Sequence, residues 1–406
     1  MSLIKSITTI ASSSALSQII GAASIWAISH FFGMAQVGEY ALTYSLVLIG
    51  AQLCTFASQL LLPKQDENEL SQNVVFCILQ SMIIALLFSV IVSAIYGKNI
   101  VILYSLTLSH ALVLVSENLL LRDEKINFLV LQRLSISLWV FISVFIANKI
   151  QVFYELWAIG LSVIIILWLY SSVIKIPVSI TMFSIKKNMQ FFMKHKAHLG
   201  GVGSAEVLAM ANSNLPMILI GYWFTPVTAG YFAVVSRFCL SPVFIVGNAV
   251  RNSVFSKWSI DFRHNRFNYD EFAKVRKLLL VLGIVATIGV FIFYPIVIQF
   301  AFSQEWIDSI PTSRYMLPYL FPALAICPLT VLELVYGSPK YFLRIQIEQL
   351  FVIFIAFIVL PLVIKNYDYS VFTYAILSFI RYSFIYIKVN NRAVWLKKEA
   401  GSNCDN

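Results

Sequence analysis

The sequence predicts an all-α, polytopic membrane protein with about twelve transmembrane helices in two six-helix lobes, both termini cytoplasmic. Three observations predict it. The 406-residue chain is 59% hydrophobic and only 12% charged, with a mean hydropathy of +0.83, where soluble domains run about 45–50% apolar and about 25% charged. Apolar runs recur between short turn and charge clusters along the whole length, and lysines and arginines are spread very unevenly over those clusters. A hydrocarbon core of ~30 Å takes ~20 apolar residues per crossing, so twelve crossings use ~240 residues and leave ~165 for connections and ends. No polar stretch is long enough for a soluble catalytic domain, so any chemistry belongs in or beside the bilayer.

In chain order the apolar runs place spans at 7–31, 37–62, 74–96, 100–121, 126–147 and 155–175, then at 197–222, 230–254, 275–299, 313–336, 341–364 and 369–389. The first resembles a signal peptide in having one positive charge, Lys5, ahead of its apolar run, but further spans follow it and it reads as a retained helix. With both ends inside, 22 of the 29 lysines and arginines fall in or beside the cytoplasmic connections. Four (Lys98, Lys149, Arg314, Lys365) fall outside, and three (Arg133, Arg237, Arg381) lie inside spans. Basic residues resist translocation and attract anionic lipid, so the net charge of +10 reports topology and not nucleic-acid binding.

The two most basic connections run from Lys175 to Lys196 and from Lys257 to Lys277. The first divides the chain into an N-terminal lobe (1–175), a basic cytoplasmic linker (176–196), a C-terminal lobe (197–389) and a cytoplasmic tail (390–406). An internal repeat supports the division. Phe31-Phe32-Gly33 to Gly38-Glu39-Tyr40-Ala41 aligns with Trp223-Phe224-Thr225 to Gly230-Tyr231-Phe232-Ala233 at an offset of 192. Six spans separate the copies, as in parallel two-lobed transporters that bind substrate between lobes near the midplane.

Intramembrane charge marks the candidate functional residues, because a charge at the bilayer centre costs ~2.5–3.5 kcal/mol on insertion scales. Arg381 lies mid-span among Phe379, Ile380, Tyr382 and Phe384, and Arg237 about two turns into span 8. A planar guanidinium matches phosphate oxygens bidentately, so either suits pyrophosphate or acidic sugars; a buried ion pair is the plainer alternative. Arg133 is expected to snorkel to the interface, and Glu117 with Asn118, and Glu333, to be interfacial. Glu348 lies four residues after Arg344, which reads as a helix-surface pair. Glu206 follows Gly200-Gly201-Val202-Gly203, with Asn212, Ser213, Asn214 and Pro216 beyond it. Glycines and a proline loosen a helix, and a buried carboxylate there would take up and release a proton, so Glu206 is the candidate for ion coupling or gating. Pairing with a lobe arginine is its structural alternative. Ser12-Ser13-Ser14, Ser17 and Gln18 in span 1 serve packing or cavity lining. His30 and His110 are lone histidines, and the tryptophans and tyrosines read as interfacial anchors, not sugar platforms. Cys54, Cys77, Cys239, Cys327 and Cys404 follow neither metal nor disulfide spacing, and nothing in the chain asks for a cofactor.

Three segments resemble the polysaccharide-transporter branch of the multidrug, oligosaccharidyl-lipid and polysaccharide exporter superfamily, most closely its O-antigen (Wzx-type) flippases. They are the turn Gly33-Met34-Ala35-Gln36-Val37-Gly38-Glu39-Tyr40-Ala41-Leu42, the stretch Ala229-Gly230-Tyr231-Phe232-Ala233 continuing through Arg237 and Pro242 to Val254-Phe255-Ser256-Lys257, and Phe302-Ser303-Gln304-Glu305-Trp306 followed by Met316-Leu317-Pro318. Ser303 stands where that family usually has glycine. The resemblance implies an inner-membrane protein moving an undecaprenyl-pyrophosphate-linked oligosaccharide, of O-antigen or capsule, from the cytoplasmic to the periplasmic leaflet by ion-coupled alternating access. It implies membrane lipids and, as partners, a polysaccharide polymerase and a chain-length regulator. Spans 1, 2, 7 and 8 border the cavity in that superfamily, which makes Gln18, Gln52, Asn214 and Arg237 cavity candidates with Arg381, and Glu206 the coupling candidate.

Competing functions lack their marks. A nucleotide-driven pump needs a Gly-x-x-x-x-Gly-Lys-Ser/Thr loop, which is absent. A lipid-linked-sugar glycosyltransferase needs an acidic metal-holding motif outside, where Glu305 and Asp308 are the one acidic pair. An O-antigen polymerase would resemble chains with a large Arg-bearing outer loop, whereas every outer loop here is about 15 residues or shorter. A small-molecule or multidrug exporter of the same superfamily stays as the alternative.

Overall fold

The computed structural model describes residues 3–402 except 175, 178, 265, 303 and 338, so Ser303 and Cys404 lie outside the described residues. It is 91% helical, without a strand among the described residues. The chain divides into two compact units, Met1–Ile218 and Leu219–Asn406. The boundary falls within the seventh expected span, not in the basic stretch 176–196.

The first unit holds α1 (Leu3–Phe32), α2 (Met34–Thr55), α3 (Glu67–Tyr96), α4 (Ile100–Arg122), α5 (Ile126–Ile146), α6 (Ile150–Val173), α7 (Ile185–His198) and most of α8 (Ser204–Trp223). α4 is central, packed on α2, α3 and α6, while α1 lies along α5. Small residues permit this close approach. A Cβ on Gly160 would stand 1.9 Å from Trp139 Cε2, and one on Gly50 2.5 Å from Phe88 Cε1. Trp139 donates its Nε1–H to Leu156 O at 3.0 Å. Tyr40 packs on the fully buried Trp157 at 5.2 Å. The outward side of α3 exposes Ile83, Leu87 and Ile91, as a lipid-facing helix does.

The second expected span, 37–62, ends as an α-helix at Thr55. Phe56 (φ 44°) and Ala57 (φ 62°) take left-handed conformations uncommon for residues with a Cβ. The chain then continues as a tight 3₁₀ turn over Ser58–Lys64. Gln80 on α3 makes the break tenable: its Nε2 donates to Cys54 O at 2.9 Å and Thr55 O at 3.0 Å, satisfying carbonyls that a helix end leaves without partners.

The basic stretch after α6 is folded onto this unit. α7 is amphipathic, and its Phe191 is buried against Phe76 with ring centroids 5.0 Å apart. Gln72 donates to Met182 O at 3.2 Å and to Asn188 Oδ1 at 3.1 Å, and Lys194 pairs with Glu69.

The second unit holds the end of α8, then α9 (Pro226–Val235), α10 (Ser241–Arg263), α11 (Tyr269–Ala301), α12 (Gln304–Ile307), α13 (Ile310–Tyr315), α14 (Leu317–Ala325), α15 (Val331–Tyr336), α16 (Pro339–Phe354), α17 (Leu360–Val363) and α18 (Tyr367–Ser402). α14 packs between α11 and α18, and α10 lies against α14 and α15. Trp258, Phe272, Leu279, Leu332 and Ile385 form its main apolar core. Trp306, in the stretch 304–306, is buried and stacked on Phe302 at 4.4 Å.

Ten helices are long and apolar enough to cross a membrane among the described residues, and they coincide with ten of the twelve expected spans. The other two stretches are helical but differ for local reasons. Span 7 corresponds to α8, which Glu206, Asn212, Ser213 and Asn214 make too polar to pass by composition. Span 10 is cut near Pro318 and Pro328 into α13, α14, a 3₁₀ turn at Cys327–Thr330 and α15, because a proline removes a backbone donor and clashes with the preceding turn, while Pro322 is accommodated inside α14. The stretch expected as a tail from 390 continues α18 through Ser402. Its Ala393 and Leu396 belong, with Val389 just before it, to the core cluster that holds Trp258. A 36-residue helix is about 54 Å long, so α18 outruns a ~30 Å hydrocarbon core.

Candidate functional site

In the first unit, Gln18 on α1 is half-buried. Gln52 on α2 is buried, and its side-chain Nε2 lacks a hydrogen-bond partner among the described residues. Asn214 on α8 turns back on its own helix, donating Nδ2 to Met210 O at 2.9 Å and to Met210 Sδ at 3.2 Å. Glu206, expected as a buried carboxylate, is exposed in the first turn of α8.

What surrounds Glu206 is an irregular backbone. A π-helical turn, Leu199–Gly203, joins α7 to α8. A Cβ on Gly203 would stand 2.7 Å from Phe56 O, so the left-handed end of α2 and the π turn press on one another. π turns insert an extra residue and re-aim the side chains beside them, often at functional positions. A second, Ser236–Leu240, carries the half-buried Arg237 in the other unit. Two residues selected for their charge thus sit on or beside helix defects, each marked in sequence by a following proline (Pro216, Pro242).

Arg381 is the most demanding group in the second unit. Only 9% of it is exposed, and its Nε and Nη1 have no hydrogen-bond partner among the described residues. No carboxylate pairs with it among them. The guanidinium lies over the Tyr382 ring at 4.6 Å, a cation–π contact that offsets part of its lost hydration. Tyr319 bridges Tyr374 and Tyr382, at 5.3 and 6.4 Å between centroids, and Gln349 donates to Tyr374 Oη at 3.3 Å. Arg251 and Arg381 are both within electrostatic reach of Cys327, in the proline-cut stretch. A desolvated cation with uncommitted N–H groups has the chemistry of an anion site.

Two relationships escaped the sequence reading. Arg133 does not snorkel free of Glu117: its Nε donates to Glu117 Oε1 at 2.7 Å and its Nη2 to Oε2 at 3.0 Å, across the short turn between α4 and α5. The turn at Asp123–Lys125 brings residues on either side to equal depth, a signal present in the spacing. Asp308, read as paired only with Glu305, lies in the turn before α13 and shares a cavity with Asp368, sixty residues later at the start of α18. Glu333, expected to be interfacial, is 7% exposed. The Arg344–Glu348 pair forms as expected, at 2.8 Å. Among the described residues no three His, Cys, Asp or Glu side chains gather to hold a metal ion.

The fold is shared with solved transporters. The structure titled "Lipid II flippase MurJ, inward closed conformation" superposes with a TM-score of 0.74 at 15% identity, covering 96% of this chain and 89% of that one. An inward-facing multidrug resistance MATE family transporter of the MOP superfamily gives 0.71 at 11% identity, covering 94% and 95%. A MOP superfamily transporter from Pyrococcus furiosus gives 0.54 at 12%, covering 97% and 96%. No protein of curated function matches the chain in sequence. Residues 57–311 match the family described as polysaccharide biosynthesis protein, more than half of the chain. By that match, on a polytopic all-helical fold common to MOP transporters, this chain belongs to the polysaccharide biosynthesis protein family.

Proposed function

We propose that the protein is a flippase that moves undecaprenyl-pyrophosphate-linked oligosaccharide repeat units, of O-antigen or capsule, from the cytoplasmic to the periplasmic leaflet of a bacterial inner membrane. The observation that carries this reading is the family match over residues 57–311 on a fold that a lipid II flippase also adopts. The buried, uncommitted guanidinium of Arg381 supports it, because a bidentate donor in low dielectric suits a pyrophosphate. Gln18, Gln52 and Asn214 in the first unit and Arg237 in the second are the substrate-contact candidates, and Glu206, exposed beside the π turn, is the candidate for coupling transport to an ion gradient. A polysaccharide polymerase and a chain-length regulator act on the product. The test is to delete the gene and locate the lipid-linked intermediates. Complete repeat units trapped on the cytoplasmic face, with loss of surface polymer, are expected. Single repeat units capping the lipid core would mean a polymerase. Unchanged polysaccharide with altered drug tolerance would mean an exporter, the other activity named on this fold.

A further inference from the structure

Three connections of the second unit meet at one end: Trp223 to Thr225 between α8 and α9, Asp308 to Thr312 around the start of α13, and Lys365 to Asp368 at the start of α18. They enclose an open-mouthed cavity of about 570 Å³, within the ~300–1,000 Å³ of small-ligand sites. All three follow odd-numbered spans, so the charge asymmetry puts the cavity on the outer face.

Its walls are fixed by contacts among themselves. Phe224 and Tyr367 meet edge to face at 5.9 Å, and the Tyr367 hydroxyl is 3.1 Å from Thr312 Oγ1. Tyr231 donates its hydroxyl to Asp308 Oδ2 at 3.3 Å. Thr225 and Thr228 cap α9 reciprocally. The remaining polar groups are uncommitted. Lys365 and Asp368 make no hydrogen bond or ion pair among the described residues, and Asn366 uses only its Oδ1, which accepts from Tyr369 N at 3.2 Å.

We infer that this cavity is a carbohydrate site, selective for neutral or amino sugars, that receives the glycan of the transported lipid on the outer face; it rests on the flippase reading above. A pyranose has an apolar C–H face and an equatorial rim of hydroxyls. Trp223, Phe224, Tyr231 and Tyr367 offer rings for the face, while Asp308, Asp368 and the Asn366 amide offer planar groups for the rim. An apolar drug would stack on the rings but would cover Asp368 without offering it a hydrogen-bond partner. A phosphate or uronic acid meets two carboxylates against one ammonium, so acidic ligands are repelled. Placed at the outer end, the site would hold the glycan as the lipid leaves the transport path.

The test uses the full-length protein in lipid nanodiscs and, as probe, the water-soluble repeat-unit oligosaccharide released by mild acid from the host's own lipid-linked intermediates, read by saturation-transfer-difference NMR. Wild type is expected to give signal above empty nanodiscs, and Trp223→Ala, Asp308→Asn and Asp368→Asn each to lower it at least fivefold. The two Asn variants change exposed side chains and keep the fold. Wild-type signal no greater than empty nanodiscs, or undiminished signal in both Asn variants, would overturn the site. Undiminished binding of a uronic-acid-containing repeat unit would overturn the charge selectivity. The two readings fail separately. Trapped intermediates in the deletion strain without glycan binding would leave the flippase and remove this site, and binding with normal surface polymer in the deletion strain would do the reverse.

Discussion

Arg133 and Glu117 form a two-pronged ion pair across the α4–α5 hairpin, Nε to Oε1 at 2.7 Å and Nη2 to Oε2 at 3.0 Å. Their side chains keep 27% and 16% of their exposure, so the pair is shielded but not fully dry. Charge-assisted parallel hydrogen bonds are shorter and stronger than neutral ones. Removing one partner strands the other. Glu117→Gln or Arg133→Met is therefore expected to cost about 2 kcal/mol, and the double variant to recover most of it. Thermal unfolding of the four proteins in one detergent measures the cycle; additive losses would show that the pair is not coupled.

Arg381 separates function from stability. Its buried guanidinium pays a desolvation cost that no carboxylate offsets among the described residues. Arg381→Met is thus expected to hold or raise thermal stability while lowering surface polymer about tenfold, the equivalent of ~1.4 kcal/mol of anion binding. Arg381→Lys keeps the charge but loses the fork and should fall between. Full polymer in Arg381→Met cells at normal protein levels would remove Arg381 from the transport path.

Gly160 is required by Trp139. An added methyl would stand 1.9 Å from the indole Cε2, and Trp139 is held by its bond to Leu156 O. Gly160→Val is expected to cost about 1–3 kcal/mol through overpacking, with Trp139→Leu rescuing most of it. Absence of rescue in the melting temperature would mean that the two helices separate instead.

Docking of α7 is expected to depend on pH. Burial pushes the His195 imidazole below its ordinary value, with nearby Lys194 and His198 acting the same way and Glu69, 3.9 Å away, pulling it up. Gln65 Nε2 lies 3.3 Å from its Nε2. A lowered value in the docked state means that both states are neutral well above pH ~6.5 and docking is undisturbed there. As pH falls through ~6.5, the undocked helix takes up the proton first, and docking weakens until the docked imidazole also protonates. Amide protection factors over 185–198, corrected for the intrinsic pH dependence of exchange, should therefore fall between pH 7 and 5, and His195→Gln should flatten the change. An equal fall in His195→Gln would assign the effect to another group.

Much of this architecture was legible because hydropathy and charge bias are local sums. Ten spans, the short connections between them and the Arg344–Glu348 pair each depend on residues within one helix or its ends. The defects were legible in part: the glycines at 200–203 marked where a helix loosens, whereas the stretch 313–336 was read as one span although its prolines break it. The end of α2 at Thr55 was not, since Phe56 and Ala57 carry no turn chemistry and are held in place by Gln80 on α3.

By itself, then, the sequence determined that this is an all-helical membrane protein and where most of its helices run, because both follow from transfer free energies added along the chain. Tertiary structure alone decided which polar groups meet. Helix rotation and contact between distant elements set Arg133 on Glu117, drew α7 onto α3, left Arg381 among tyrosines with no carboxylate partner among the described residues, and put Asp308 and Asp368 in one cavity. No sum over neighbouring residues encodes those meetings, which depend on how one helix face is turned toward another.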